Sequence, residues 1–424
     1  MTEVIVKLQI KTIQTFLCFA FVLLSSSTWA HGKASSSSVD NASDAVIVFP
    51  DVDGRLTLIS DLHTHSVFSD GHVWPNIRVS EAQRNGLDVL AITEHLEYQP
   101  HIAQIPHLDR NIAYEEAYKA ANTSDLLVIA GSEITRDMPP GHMNAIFVKD
   151  SNKLINLDIN NKAEAQKLID AQGAVIEGLD KQMVDHIALA SVWPVEEALK
   201  EASRQGAFVF WNHPMWSDQA KDGIARLSSM HKKFIADGQI HGIEIVNDDT
   251  YSEEAFKIAL DNDLTLIGTS DVHNLIEWDY SIEKGEHRPV TLIFTKERNA
   301  KSLREALFQN RTVVWFKDML IGKEANMMPL LNSIIDIKSS EYIKDSQILM
   351  LVLRNNSSAT LQLKNQSAYT FVDSTNFISM PANSEIIIQV KTLMKLEKLE
   401  IDFQVLNALI TPKKNPVVKL IAKI

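Results

Sequence analysis

The chain has 424 residues, 45% of them hydrophobic, and a formal net charge of −13. That length holds a large domain plus a smaller one, and that apolar fraction can bury a core, which excludes overall disorder. The negative balance excludes a general nucleic-acid binder, whose footprint is basic, and leaves any attraction for phosphate to metal ions or a local basic pocket.

Residues 1–30 read as a targeting segment. Lys7 and Lys11 precede the nine-residue apolar run "FLCFAFVLL", which is too short to span a bilayer comfortably, and "SSSTWA" ends on the small Ala30. Cleavage after Ala30 is expected, which places the mature protein in the periplasm or outside the cell with no membrane span; an uncleaved anchor is the alternative. Loss of two lysines and Glu3 leaves a net charge of −14 and removes Cys18, the single cysteine. Disulfides therefore do not stabilise the mature chain. Residues 31–54 form a Ser-rich, flexible lead-in.

From residue 55 to 324 short apolar runs alternate with amphipathic helical stretches. The runs are "LTLIS", "DVLAIT", "LLVIAGS", "MNAIFV", "AFVFW", "GIEIV" and "LTLIGTS"; helix candidates include "NIAYEEAYKAAN", "PVEEALKEASRQG" and "SEEAFKIALDND". Strands and helices in this rhythm point to a parallel α/β sheet or barrel, and about seven strands favour a barrel over a doubly wound sheet, with a helical insertion near 151–205. "NMMPLLNSIIDIKSSEY" reads as a junction. Residues 325–424 then change to short strands separated by turns, as in a small all-β sandwich, and contain no histidine.

Candidate metal ligands recur where the runs stop. "LTLIS" leads into "DLHTHSVFSDG", with His63, His65 and Asp70. Alone, a His-x-His serves equally well as two solvated loop histidines. "VLAIT" ends in Glu94 and His95, "LLVIAGS" in Glu133, "AFVFW" in His213, and "LTLIGTS" in Asp271 and His273. In α/β barrels and open sheets the functional face lies at the carboxyl ends of strands. His142 precedes its run, but nine positions from Glu133 are too few for a parallel crossover. Pro139, Pro140 and Gly141 favour a reversal, so "MNAIFV" is expected antiparallel to "LLVIAGS", with His142 beside Glu133. Imidazoles mixed with carboxylates suit Zn, Mn or Fe. Nine ligands exceed a closed four-ligand site and imply two to three divalent ions, a device for hydrolysing phosphate esters or amides.

In order, "DLHTHSVFSDG", "ITEH", "GSE", "GHMNAIF", "NHP" and "GTSDVH" resemble the polymerase-and-histidinol-phosphatase (PHP) family, over about half the chain. The resemblance implies a distorted (β/α)7 barrel that binds three metals and hydrolyses phosphoesters of a small phosphorylated substrate. It implies that His63, His65, Glu133 and Asp271 hold one ion, that Glu133 bridges to a second held by His142 and His213, and that Asp70, His95 and His273 hold a third. Glu94 stands where the family more often has Asp. The export signal sets the chain apart from polymerase-linked and histidine-biosynthetic members.

If the ligands are so arranged, the expected mechanism is in-line attack on phosphorus by a hydroxide that the two Glu133-linked ions would supply, with Asp271 and Glu133 at the centre of the chemistry. Arg136 and Arg288 are candidate phosphate grips, with ordinary surface arginines as the alternative. Trp211, Trp216 and Tyr280 could wall an organic substituent, packing being the alternative reading. His72, His101, His107, His186, His231, His241 and His287 match no ligand pattern and are read as surface or packing residues. An amide or lactone hydrolase on a related barrel, and a non-catalytic metal-binding protein, are the rival functions.

Overall fold

The structure is a computed structural model that describes residues 46–102, 104–105, 107–157, 163, 165–167, 188 and 190–424. The expected targeting segment, most of the lead-in, His186 and most of the expected insertion lie outside these residues.

The apolar runs form strands β1 (Leu56–Asp61), β2 (Val89–Ile92), β3 (Leu127–Ile134), β4 (Met143–Ile146), β5 (Phe208–Trp211), β6 (Gly242–Asn247), β7 (Thr250–Tyr251) and β8 (Thr265–Thr269). Neighbours β1–β2, β2–β3, β5–β6 and β6–β8 pair parallel, whereas β4 runs antiparallel to both β3 and β5. Ile134 pairs with Met143 across the turn, so the return of β4 follows the expected reversal. Between strands lie helices such as α1 (Pro75–Arg84), α2 (Ile112–Ala120), α3 (Val195–Gln205), α4 (Ser229–Ala236) and α5 (Glu253–Asp261). Local chemistry sets their ends. In α3, Glu196 and Glu197 occupy the first turn and Arg204 the last, and Gly206 closes it at φ +79°.

Three further strands extend the sheet: β9 (Val290–Thr295), antiparallel to β1, then β10 (Thr312–Phe316) and β11 (Met319–Gly322). Helix α6 (Ala300–Phe308) joins β9 to β10. The barrel thus resembles a half-barrel sheet rather than a closed parallel ring. No ladder joins β8 to β9 among the described residues; the Thr291 hydroxyl donates to Gly268 O (2.9 Å) and that of Thr312 to Leu266 O (2.9 Å). At the carboxyl rim the segments that follow β1 and β8 are joined by an isolated bridge between Thr64 and Val272. There the Asp271 amide donates to His63 O (3.0 Å) and the His65 amide to Val272 O (3.1 Å). Inside, Leu58, Leu62, Val89, Ala91, Phe208, Phe210 and Ile267 pack with Leu303, Ala306 and Leu307 of α6.

The junction stretch is helix α7 (Glu324–Ile334), and the first sandwich strand begins at Ile335. Strands β12 (Ile335–Tyr342), β13 (Ile348–Asn355), β14 (Leu361–Asn365), β15 (Thr370–Phe371), β16 (Phe377–Met380), β17 (Glu385–Lys391), β18 (Lys398–Val405), β19 (Ala408–Leu409) and β20 (Val417–Lys423) follow. They form two four-stranded sheets, β12-β13-β17-β15 and β16-β14-β18-β20, while β19 leaves the sandwich and pairs parallel with β11. Side chains along β13, β18 and β20 alternate between core and surface, as a two-layer sandwich requires. Met327, Leu330, Leu331 and Ile334 of α7 are wholly buried in one cluster with Leu292 and Val313 of the barrel and Leu351 and Phe403 of the sandwich. Each such side chain stabilises the join by about 1.5–3 kcal/mol. Among the described residues no helix is long and apolar enough to cross a membrane.

Candidate metal centre

The rim bridge between the segments after β1 and β8 places His63 and His65 directly against Asp271 and His273. Past the end of β2, His95 forms a bridge to Glu133 within β3, and β5 ends at Trp211 just before His213. The nine side chains singled out in the sequence therefore meet at one mouth.

Glu133 lies at their centre. His63 Nε2 is 3.0 Å from His65 Nε2, and both nitrogens are 3.1 Å from Asp271 Oδ1. Glu133 Oε2 stands 3.4 Å from the first and 3.3 Å from the second. Four donor atoms around a tetrahedral ion are separated by about 3.3 Å when each bond is near 2.0 Å. The other oxygen, Glu133 Oε1, faces His142 Nδ1 at 3.0 Å and His213 Nε2 at 3.4 Å. A third group surrounds Asp70 Oδ1, with His273 Nε2 at 3.2 Å and His95 Nε2 at 3.4 Å. His65 and His95 each border two of these groups.

A carboxylate oxygen taken out of water is costly unless it is paired. Asp70 Oδ1, Glu133 Oε2 and Asp271 Oδ1 are all buried without a hydrogen-bond partner. Each faces imidazole nitrogens, and the mixture of hard oxygen and borderline nitrogen donors suits Zn, Mn or Fe. These groups of His, Asp and Glu fit divalent metal ions.

Charge within the group is strongly coupled. Burial pushes the Glu133 carboxyl up, but His95, His63 and His142 outweigh it and hold it well below the ordinary range. Burial disfavours charge on His63, yet Asp271, Glu133 and Glu244 raise it well above its usual value; for His95, Glu133 and Asp70 do the same. Without an ion, both imidazoles therefore hold a second proton more tightly than a free imidazole does. Ligation requires them neutral, so ion affinity rises with pH through those raised values. Adding zinc to ion-free protein at pH 7 is expected to release protons, read in a pH-stat; uptake without release would contradict the assignment.

The loop carrying Asp70 is tightly built. A Cβ on Gly71 would lie 2.7 Å from Ser66 N and 2.8 Å from His65 C and O, all backbone atoms. Gly71→Ala is expected to destabilise the protein by about 1–3 kcal/mol and to loosen the Asp70 group, measured by urea unfolding and zinc stoichiometry.

Several supporting residues escape a reading based on strand ends. Glu244, buried in β6, is 2.9 Å from His63 Nδ1. Ser69 Oγ lies 3.1 Å from His65 Nδ1 and donates to Glu94 Oε2 at 2.5 Å, so Glu94 acts behind a ligand. Arg78 of α1 is wholly buried and donates to the carbonyls of His65, Val272 and Asn274 while pairing with Glu81. For Glu244 the available signal was a charge inside the apolar run "GIEIV", which is rarely buried without a partner; Arg78 stands in the polar stretch "PNIRVSEAQR" and gave no such signal.

Neither candidate phosphate grip lines the mouth. Arg136 is paired with Glu97 and donates to the carbonyl of Trp193 at 2.8 Å. Arg288 corrects both of its expected roles: it is 1% exposed, 3.1 Å from Asp61 Oδ2 and 2.9 Å from Asn85 Oδ1. A buried guanidinium must be neutralised in place, and Asp61 does so below the rim. Trp211 is buried and stacks on His231, whose imidazole burial pushes down to about 4. Trp216 is 43% exposed and lies against His142 and His213, while Tyr280 is buried with its hydroxyl donating to Asp248. The mouth is a cavity of about 710 Å³ lined by seven of the nine residues with Trp216, Asp248, Asp249 and Asp279. No lysine or arginine is among the described residues lining it.

Comparison with known proteins agrees with this division. A PHP domain profile matches residues 61–206, and an Ig-like domain profile matches residues 335–421. A two-domain protein from Bacteroides vulgatus, containing a predicted PHP-like metal-dependent phosphoesterase, is 35% identical, covering 89% of this chain and 98% of its own at a TM-score of 0.74. An amidohydrolase from Chromobacterium violaceum with bound sulfate is 17% identical over 51% of this chain and 87% of its own, at a TM-score of 0.34. PsfC from Pseudomonas syringae is 13% identical over 65% of this chain and 96% of its own, at 0.37. The last two superpose too loosely to bear on function. No curated protein matched the sequence.

Proposed function

The chain belongs to the PHP family, and on that premise we propose that it is an exported, metal-dependent hydrolase of phosphate esters, monoester or diester, with a trinuclear site. The observation that carries this reading is the convergence of three partnerless, buried carboxylate oxygens on imidazole nitrogens. His63, His65, Glu133 and Asp271 would hold one ion, Glu133 with His142 and His213 a second, and Asp70, His95 and His273 a third. Bound ions of this kind supply an acidified water and positive charge for the phosphoryl oxygens. The scarcity of basic side chains around the mouth supports giving that charge to ions.

The chain's own residues hold and orient. Asn212 Nδ2 donates to Glu133 Oε1 at 2.8 Å, and Asn247 Nδ2 to Asp271 Oδ2 at 3.2 Å, which fixes the planes of both central carboxylates. Trp216 offers an apolar face at the mouth for the organic part of an ester. The N-terminal pattern supports placing the activity outside the cytoplasm, and sequencing the N-terminus of the mature protein tests that placement. Protein loaded with Mn or Zn is expected to turn over a nitrophenyl phosphate monoester or diester and to stop on chelation. Turnover of an amide panel with no ester turnover would overturn the reading.

A further inference from the structure

β6 delivers no ligand to the rim, yet it carries a fully buried carboxylate in mid-strand. Glu244 Oε1 accepts from His63 Nδ1 at 2.9 Å and from Thr269 Oγ1 at 2.6 Å. Its Oε2 accepts from the His213 amide at 2.7 Å and from Asn247 Nδ2 at 3.0 Å. These donors belong to the ends of four different strands. We propose that Glu244 is the positioning residue that couples two ion pockets: it holds His63 with a proton on Nδ1, which leaves Nε2 as the nitrogen offered to an ion, and it fixes the backbone of His213. The proposal rests on the reading that the nine rim residues hold metal ions.

The chemistry of the four partners supports it. An amide N–H and an Asn NH₂ can only donate, and a carboxylate accepts through both oxygens. All four lone-pair positions are filled, so His63 must enter as a donor. Its Nε2 is then the nitrogen left for an ion, and it points at His65, Asp271 and Glu133, as a ligand nitrogen does. This is the general arrangement in which an outer carboxylate orients a metal-binding imidazole. His213 sits at φ +25°, a backbone region that few side chains adopt, and its amide bond to Glu244 helps to hold it there. Asn247 passes the connection on to Asp271. A Val or Ile would satisfy the packing of β6; only a carboxylate satisfies these donors.

Two measurements test the role. Wild-type protein labelled with ¹⁵N at histidine is expected to show His63 protonated on Nδ1, both ion-free and with zinc; a bare Nδ1 would overturn the proposal. Glu244→Gln must turn its NH₂ toward one pair of donors. Zinc titration against a chromophoric chelator is expected to show a loss of 10- to 100-fold in affinity at the two Glu133-linked pockets. The Asp70 pocket, identified by His273→Ala, is expected to be unchanged. Glu244→Asp, which keeps the charge, is expected to recover part of the loss. Wild-type affinity throughout, or an equal loss at every pocket together with a lower melting point, would reduce Glu244 to a packing role. Wild-type protein that takes up no zinc would sink the metal reading instead, while the His63 tautomer still decides the position of Glu244.

Discussion

Glu133→Gln is expected to lower kcat by about 10³-fold or more, which corresponds to about 4 kcal/mol of transition-state stabilisation. The two oxygens of Glu133 face different groups: Oε2 meets His63, His65 and His95, and Oε1 meets His142 and His213. The amide keeps the shape but turns an NH₂ toward one of these groups, where a lone pair is needed. One substitution therefore removes a donor from a group and the shared charge from both. Ion content per chain should fall by one or two while the Asp70, His95 and His273 group keeps its own. Elemental analysis alongside phosphoester kinetics gives both readings. A variant with wild-type ion content and activity would remove Glu133 from the centre of the site.

Arg78→Ala is expected to destabilise the ion-free protein by about 3–5 kcal/mol. Its guanidinium is inaccessible to water and ties together two stretches of the rim far apart in sequence. Nε donates to His65 O at 2.7 Å, Nη2 to Val272 O at 3.2 Å, and Nη1 to Asn274 O at 2.5 Å and Glu81 Oε2 at 2.8 Å. Glu81 Oε1 in turn accepts from the Ile276 amide at 2.9 Å. Truncation leaves three carbonyls short of a donor and one carboxylate buried without its partner. Arg78→Lys keeps the charge but not the planar fork, so only partial recovery is expected. Urea unfolding of both variants measures the difference; a lysine variant as stable as wild type would refute the part played by the fork.

Much of the architecture was legible because it is written locally. Apolar runs set the strands, and ligand-type residues stood where those runs stop. The reversal into β4 followed from a short spacing and "PPG" alone. Strands β9 to β11 were not among the runs read from the sequence. A helix between β9 and β10 looks like a parallel crossover, yet those strands pair antiparallel. Arg288, in "EHRPV", has polar neighbours in sequence and a buried aspartate in space, and only the folded chain brings Asp61 to it. Glu244 and Arg78 were hidden for the same reason. Glu81 and Asn247 lie only three residues from Arg78 and Glu244, but the rim segments these two hold, at His65, Val272, His63 and His213, are joined to them only by the folded chain. The junction helix α7 was masked by Pro329 and by the β-branched residues that follow it.

The pairing of β19 with β11 has a consequence for behaviour in concentrated solution. Without it, β11 would present a row of free amides and carbonyls at the margin of a large sheet, a template on which another chain can add. Ala408 and Leu409 cover that margin, and the cover is itself only two residues long, too short to recruit a further strand with much strength. The C-terminal domain thus serves as an edge guard for the barrel sheet.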